Sequence, residues 1–329
     1  MKILKTMAMA LSLLMPVCAN AQSIALHAKF DVAGNALPAI RHMTDMKMTG
    51  DTLLFVYEGH ENNGQRCLRR AVVDRDSKTV KVSPDMGKRD DGYYVSYMPL
   101  PFIADNGSIR VIGQDDCEIY SVENDTAFVR TRQYLMDGNS SVPFPLSLYA
   151  QDVFMTGPDK YVFIGREPKG GRQYAMKADL TCSKIDTIRQ INISPELQAW
   201  MPNMGEMAYS GKHDRLAFAY MFHPIVEIFD TDGNIISSIR IGEDTFDPKT
   251  LEEADFDELN RLHFIDITTT DDYIYALHNG YSESSRSIYK IDWNGNIINC
   301  EAVKVNLQKI AVGNDNSVTG WTGNDFIAM

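Results

Sequence analysis

The feature that most constrains this chain is a unit that recurs along most of its length: a hydrophobic strand, a polar break, a second strand, a tight turn bearing Asp or Gly, and a third strand. Such self-similarity marks repeat architecture, in which each unit buries its apolar faces against its neighbours. The clearest copy runs from Tyr273 to Val305. There Tyr273 to Leu277 and Ser287 to Asp292 alternate apolar and polar residues, and Trp293, Asn294 and Gly295 turn the chain into Asn296 to Val303. The preceding copy, Leu216 to Gly242, turns at Thr231, Asp232 and Gly233. Hairpin loops often need positive φ, which costs glycine little and Asn or Asp less than other residues.

Weaker copies begin at Thr52, Ser108 and Tyr161. Each of the five copies follows a further apolar segment: His42 to Met48, Val95 to Ile103, Gln151 to Met155, Gly205 to Tyr209, and Leu262 to Thr268. Four strands per unit is the content of a propeller blade. The C-terminus supplies only three, at Leu307 to Val312, Ser317 to Trp321 and Asp325 to Ala328. The pattern therefore predicts that Ile24 to Val32 returns to complete the sixth blade and remove its open edge. The expected fold is all-β, a six-bladed β-propeller whose last blade is closed by the N-terminal strand, with residues 22–329 as one domain.

Residues 1–21 read as a secretory signal: Lys2 and Lys5, an apolar run from Met7 to Val17, and an A-x-A site ending at Ala21. That run is shorter than the roughly 20 residues a bilayer span needs. Val17 and Pro16 before Cys18 are not the small residues a lipoprotein signal requires. The expectation is export to the periplasm or beyond. The formal net charge of −12, from 32 Lys and Arg against 44 Asp and Glu, disfavours nucleic acid and anionic membrane surfaces as partners. Cys67, Cys117, Cys182 and Cys300 match no zinc spacing and read as strand residues with at most one disulfide.

The run YIYALHNG, followed by SIYKIDWNGNII and KIAVGNDN, resembles the C-terminal blades of the TolB-like six-bladed propeller family of Bacteroidetes exported proteins. GEMAYSGKHDRLAFAYMFHPIVEIFDTDGNII resembles the blade before them. The resemblance implies a propeller, supplies no catalytic residues, and suggests envelope protein binding only by analogy.

In such a blade the turns joining first to second and third to fourth strands share one face, and here they are short. The long segments Asp85 to Tyr94, Met136 to Tyr149, Ser194 to Met204 and Glu243 to Arg261 all fall on the other face. Long loops on a rigid scaffold carry function, so binding residues are expected there. Glu58, Arg166, His223 and His278 sit at the ends of second strands, where blade symmetry would set them around the upper channel; the plainer reading is that such positions are simply solvated. His60, Asn279 and Tyr281 extend that face. Trp200, beside Met201, either anchors a partner or plugs its own loop onto the blade below. Asp247 to Leu262 permits a short amphipathic helix starting at Pro248. Asp230, Asp232 and Gly233 resemble the start of a calcium loop, but Ile241 stands where the bidentate Glu belongs, so a hairpin turn is expected.

No HExxH, GxSxG or P-loop is present. The leading expectation is a monomeric, non-catalytic binding or protein-interaction propeller of the cell envelope that needs no cofactor. One alternative is a small-molecule hydrolase or lactonase with a divalent cation such as calcium in the axial channel, drawing on Glu58, Asn279 and Asp266. Another is a glycan binder using Trp200, Tyr93, Tyr94 and Tyr281.

Overall fold

The computed structural model describes residues 28–329 apart from 38, 61–63, 105–106, 114–117, 134–150, 167–170, 183, 244–261 and 280–285. Six antiparallel sheets follow one another around an axis. The first blade contains β3 (Ile40–Thr49), β4 (Thr52–Gly59), β5 (Arg66–Asp74) and β6 (Thr79–Val82), preceded in the chain by β1 (Ala28–Lys29) and β2 (Asp31–Gly34). The second is β7 (Pro99–Ile103), β8 (Ile109–Gly113), β9 (Glu118–Glu123) and β10 (Ala127–Gln133). The third is β11 (Gln151–Gly157), β12 (Lys160–Arg166), β13 (Gln173–Asp179) and β14 (Lys184–Gln190). The fourth is β15 (Gly205–Ser210), β16 (Arg215–Tyr220), β17 (Ile225–Asp230) and β18 (Ile235–Arg240). The fifth is β19 (Phe264–Thr269), β20 (Tyr273–His278), β21 (Ser287–Asp292) and β22 (Ile297–Ala302). The sixth holds β23 (Lys309–Val312), β24 (Val318–Trp321) and β25 (Phe326–Ala328). The first strands lie innermost; β11, β15, β19, β23 and β3 touch in turn around the axis.

Second strands read as unbroken apolar runs because they are covered on both faces. Leu53, Leu54, Phe55, Val56 and Tyr57 of β4 are all buried, as are Leu216 to Tyr220 of β16. The core is divided into six apolar clusters among the described residues, one at each boundary between neighbouring blades. Phe102 and Ile112 meet Tyr161 and Phe163 between blades two and three; Leu277 and Ile288 meet Leu307 and Ile310 between five and six. Outermost strands are wet, with Ile235 and Ile298 half exposed.

The expected hairpins are present. Asp230 accepts the N–H groups of Asp232 and Asn234, and Asp292 accepts those of Asn294 and Asn296 in the same geometry. Gly233 and Gly295 both take φ of +91°. A Cβ at Gly233 would strike the Ile188 carbonyl of β14, and one at Gly295 would strike Ser237 of β18, so each turn also packs on the blade before it.

The N-terminal strand closes the ring by a split path. β1 pairs antiparallel with β25, placing Ala28 opposite Ala328, and Phe30 N–H donates to the Phe326 carbonyl. The chain then crosses to blade one, where β2 pairs parallel with β6. The sequence anticipates the first half of this path; the second half adds a fifth strand to blade one. Phe30, at the crossing, is 1% exposed in a cluster with Phe55, Trp321 and Phe326. Phe30→Ala is expected to cost about 3–5 kcal/mol in chemical denaturation and to raise hydrogen exchange first in β25 and β6. Uniform exchange across all six blades would show that the crossing is not the weak seam.

Candidate functional site

The inner strands enclose an axial cavity of about 330 Å³. Its walls come from β3, β7, β11, β15 and β19, and it reaches the first-to-second-strand turns at Gly211, Thr270, Asp271 and Asn314. The described cavity thus opens among the short turns, on the face opposite the long connections. Short turns leave that end of the axis uncovered.

At the floor stand charged residues from five blades. Lys47 Nζ donates to Asp45 Oδ2 at 2.8 Å and to the Pro101 carbonyl at 3.0 Å. Lys309 Nζ donates to Glu206 Oε1 at 2.5 Å and to Asp266 Oδ1 at 3.2 Å. Asp266 Oδ2 accepts the Ile310 N–H at 2.6 Å, and Asp152 Oδ2 accepts the Met207 N–H at 2.7 Å. Each of these two carboxylates satisfies a backbone donor on the next blade's innermost strand.

Burial disfavours the Lys309 ammonium, but Asp266 and Glu206 outweigh it and hold the group above the ordinary lysine range. Burial pushes Asp266 upward, with Lys309 opposing and Glu206 reinforcing. Asp152 is raised to about 7 by burial and then by Glu206, against the Met207 N–H and Lys47. It sits at φ of 48° in a bulge of β11, a conformation that Asp and Asn tolerate better than most residues. Above the floor, Phe154 and Tyr209 lie 6.2 Å apart between ring centroids.

The strand-end residues singled out in the sequence do not form a ring of exposed ligands. Arg166 and Trp200 come together: the guanidinium lies 4.2 Å from the indole centroid, and Arg166 Nη2 donates to Gln151 Oε1. Burial lowers the Arg166 pKa. Trp200 N–H donates to the Gly171 carbonyl, so its loop is pinned to blade three. His223 is 2% exposed, with Nε2 at 3.0 Å from the Pro202 carbonyl. His278 is buried among His263, Phe264 and Tyr289, and burial then His263 lower its pKa to about 4. The expectation that such strand ends are solvated therefore fails for both histidines, because the connections carrying Pro202 and His263 fold over them.

Glu58 lies 3.5 Å from Arg41, His60 is exposed, and Asn279 N–H donates to the His263 carbonyl. Tyr93 is 70% exposed, while Tyr94 donates its hydroxyl to Asp85. Tyr281, Cys117, residues 1–21 and all but Leu262 of the proposed 247–262 helix lie outside the described residues. Cys67, Cys182 and Cys300 form no disulfide with one another. Glu58, Asn279 and Asp266 are engaged in three separate sets of contacts, and among the described residues no three His, Cys, Asp or Glu are placed to hold a metal ion.

Of the axial charges, Asp266 alone is among the candidates that the sequence offers. Their signal is a charged residue recurring within the apolar first strand of blade after blade: Asp45, Asp152, Glu206, Asp266, Lys309.

Together these features define a six-bladed propeller with a predominantly acidic axial cavity. The chain is similar to a member of the DUF4221 family from Bacteroides vulgatus, with a TM-score of 0.52 and 13% identity over 88% of this chain and 94% of that one. It is also similar to a gluconolactonase from Xanthomonas campestris, at a TM-score of 0.46 and 10% identity over 92% and 99% of the two chains. The calcium-binding protein regucalcin from Agrobacterium tumefaciens gives 0.47 and 12% over 90% and 94%. Likeness at these identities shows the fold alone. No protein-family model matches the chain, and no curated protein matches it. Among the described residues no helix is long and apolar enough to cross a membrane.

Asp152 holds its proton to about pH 7 when folded, against an ordinary value of 3.8. Between those values the folded chain binds more protons than the unfolded one, so this group's contribution to stability falls as pH rises and is fully unfavourable above pH 7. Asp152→Asn keeps an acceptor for Met207 and suits the same φ. It is expected to stabilise by on the order of 1–2 kcal/mol at pH 8 and by little at pH 4, read from denaturant midpoints. Equal midpoint differences at both pH values would show an ordinary carboxyl.

Proposed function

We propose that this chain is an exported, non-catalytic binding propeller whose axial cavity is its ligand site. The observation that carries the reading is the cavity itself: a space in the size range of small-molecule sites, with polar groups converging on its floor and apolar side chains along its walls. Export rests on the N-terminal charge and hydropathy pattern, and a TolB-like role in the envelope rests on the sequence resemblance. The floor is held in place by ion pairs and backbone hydrogen bonds that span blades, so a ligand meets a preformed surface.

Thr268 lines the cavity two residues beyond Asp266 on the same strand. Thr268→Trp is expected to fill the space while leaving the far-ultraviolet circular dichroism of the chain unchanged. In a ligand-observed NMR screen of small fragments of mixed charge, hits on the parent chain should be lost in this variant. Hits that survive the substitution would place binding elsewhere and overturn the reading.

A further inference from the structure

The floor of the cavity has more acids than bases. Four carboxylates, Asp45, Asp152, Glu206 and Asp266, face two lysines, Lys47 and Lys309, and both lysines are already committed within hydrogen-bond distance to carboxylates. Arg166 attracts Asp152 from the long-loop side, but its guanidinium is not among the lining groups and is turned to Gln151 and Trp200. Asp271 adds a further carboxylate at the mouth.

Asp152 is the member of this set with capacity to spare. Its Oδ2 takes the Met207 N–H, and its Oδ1 accepts from no described residue. Asp152 is half-buried and lines the cavity, so this oxygen is open to a donor that enters there. Glu206 is the nearby charge that acts most strongly on Asp152, and its side chain remains 29% exposed. Lys309 shows what these acids accept: a primary ammonium is seated between Glu206 and Asp266 by the protein's own side chain. Phe154, Met155 and Tyr209 line the same cavity and offer apolar and aromatic surface.

We infer that the axial cavity binds a small primary ammonium compound, its –NH3+ group donating to Asp152 and Glu206 and its apolar tail lying along Phe154, Met155 and Tyr209. This assignment rests on the reading of the cavity as the ligand site. Three donors on one compact cation match separate carboxylate oxygens, and aromatic faces add to the attraction. A divalent metal is a poorer match, because two of the four carboxylates are held by Lys309 and one by Lys47.

Binding should release a proton from Asp152. The groups that act on it from the surrounding strands are Glu206 of β15, Asp45 and Lys47 of β3, and Arg166 of β12. The test uses n-butylammonium, n-butanol, butyrate and calcium, each titrated against the full chain and followed by protein-observed NMR at pH 6 and pH 8. At pH 8 butylammonium is expected to bind at least about tenfold more tightly than butanol, the value of one charge-assisted hydrogen bond. Its affinity should fall by about tenfold at pH 6, where Asp152 is mostly protonated. Asp152→Asn should erase both the preference and the pH dependence; Glu206→Gln, a milder change, should reduce the preference.

Equal binding of butanol and butylammonium, or a preference that survives Asp152→Asn, would overturn the ammonium assignment. Calcium binding that displaces butylammonium would do the same. Binding of butanol or butyrate at least as tight as that of butylammonium, and lost in Thr268→Trp, would leave the cavity a ligand site and defeat only the ammonium assignment. Silence from all four probes, together with fragment hits indifferent to Thr268→Trp, would defeat both.

Discussion

The structure depends on apolar contact between one blade and the next. A single four-stranded sheet has two faces to cover and no interior, so none of the six could bury its second strand alone. Here each boundary holds its own cluster, and large aromatics such as Phe55, Phe163, Phe218 and Trp321 fill the wedges. The boundary between blades six and one is made from opposite ends of the sequence. Phe30, Phe55 and Phe326 pack there as though adjacent in the chain. Closing the ring therefore adds a sixth boundary to the five that successive blades make, and covers the faces that blades one and six would otherwise expose.

Ring geometry also accounts for the charges at the centre. Innermost strands have no further strand on the axial side, so some of their backbone donors face the channel without a sheet partner. Asp152 and Asp266 meet two such donors, Met207 N–H and Ile310 N–H, each on the following blade. A carboxylate used in this way holds the blades in register but carries charge into a narrow space. Lys47 and Lys309 offset part of it. What they leave unbalanced gives the cavity its chemical character, so the groups that order the axis are the ones that make it selective.

Much of the fold was legible in the sequence because its strongest signals are local. The Asp-x-x-Gly hairpins at Asp230 and Asp292 declare themselves by composition, and LLFVY, YVFIG and LAFAY declare second strands by their unbroken apolar runs. The division of the N-terminal strand between two blades was not legible, since Ala28 and Asp31 differ in nothing that reveals a change of sheet. The candidate site was legible in part. Arg166 and Trp200 stood out by residue type and lie against one another, though 34 positions separate them. Asp152 and Glu206 looked like ordinary charges in weak strands; only the closed ring shows that they share one small space. His223 and His278 misled for the opposite reason, because a strand end says nothing of the loop that covers it.

The pairing of β1 with β25 has a consequence for how the molecule is made. The β1 strand has no sheet partner until the last strand arrives, roughly 300 positions later. Bringing such distant segments together carries a loop-closure cost that grows only logarithmically with length, but topologies dominated by distant pairings fold slowly. Until that encounter, β25 presents an open edge with unpaired backbone groups, and Phe30 and Phe326 lack each other's cover. The final stitch is thus both the slowest step to expect and the interval in which a second nascent copy could supply the missing strand, making an exchanged dimer the characteristic misassembly of this ring.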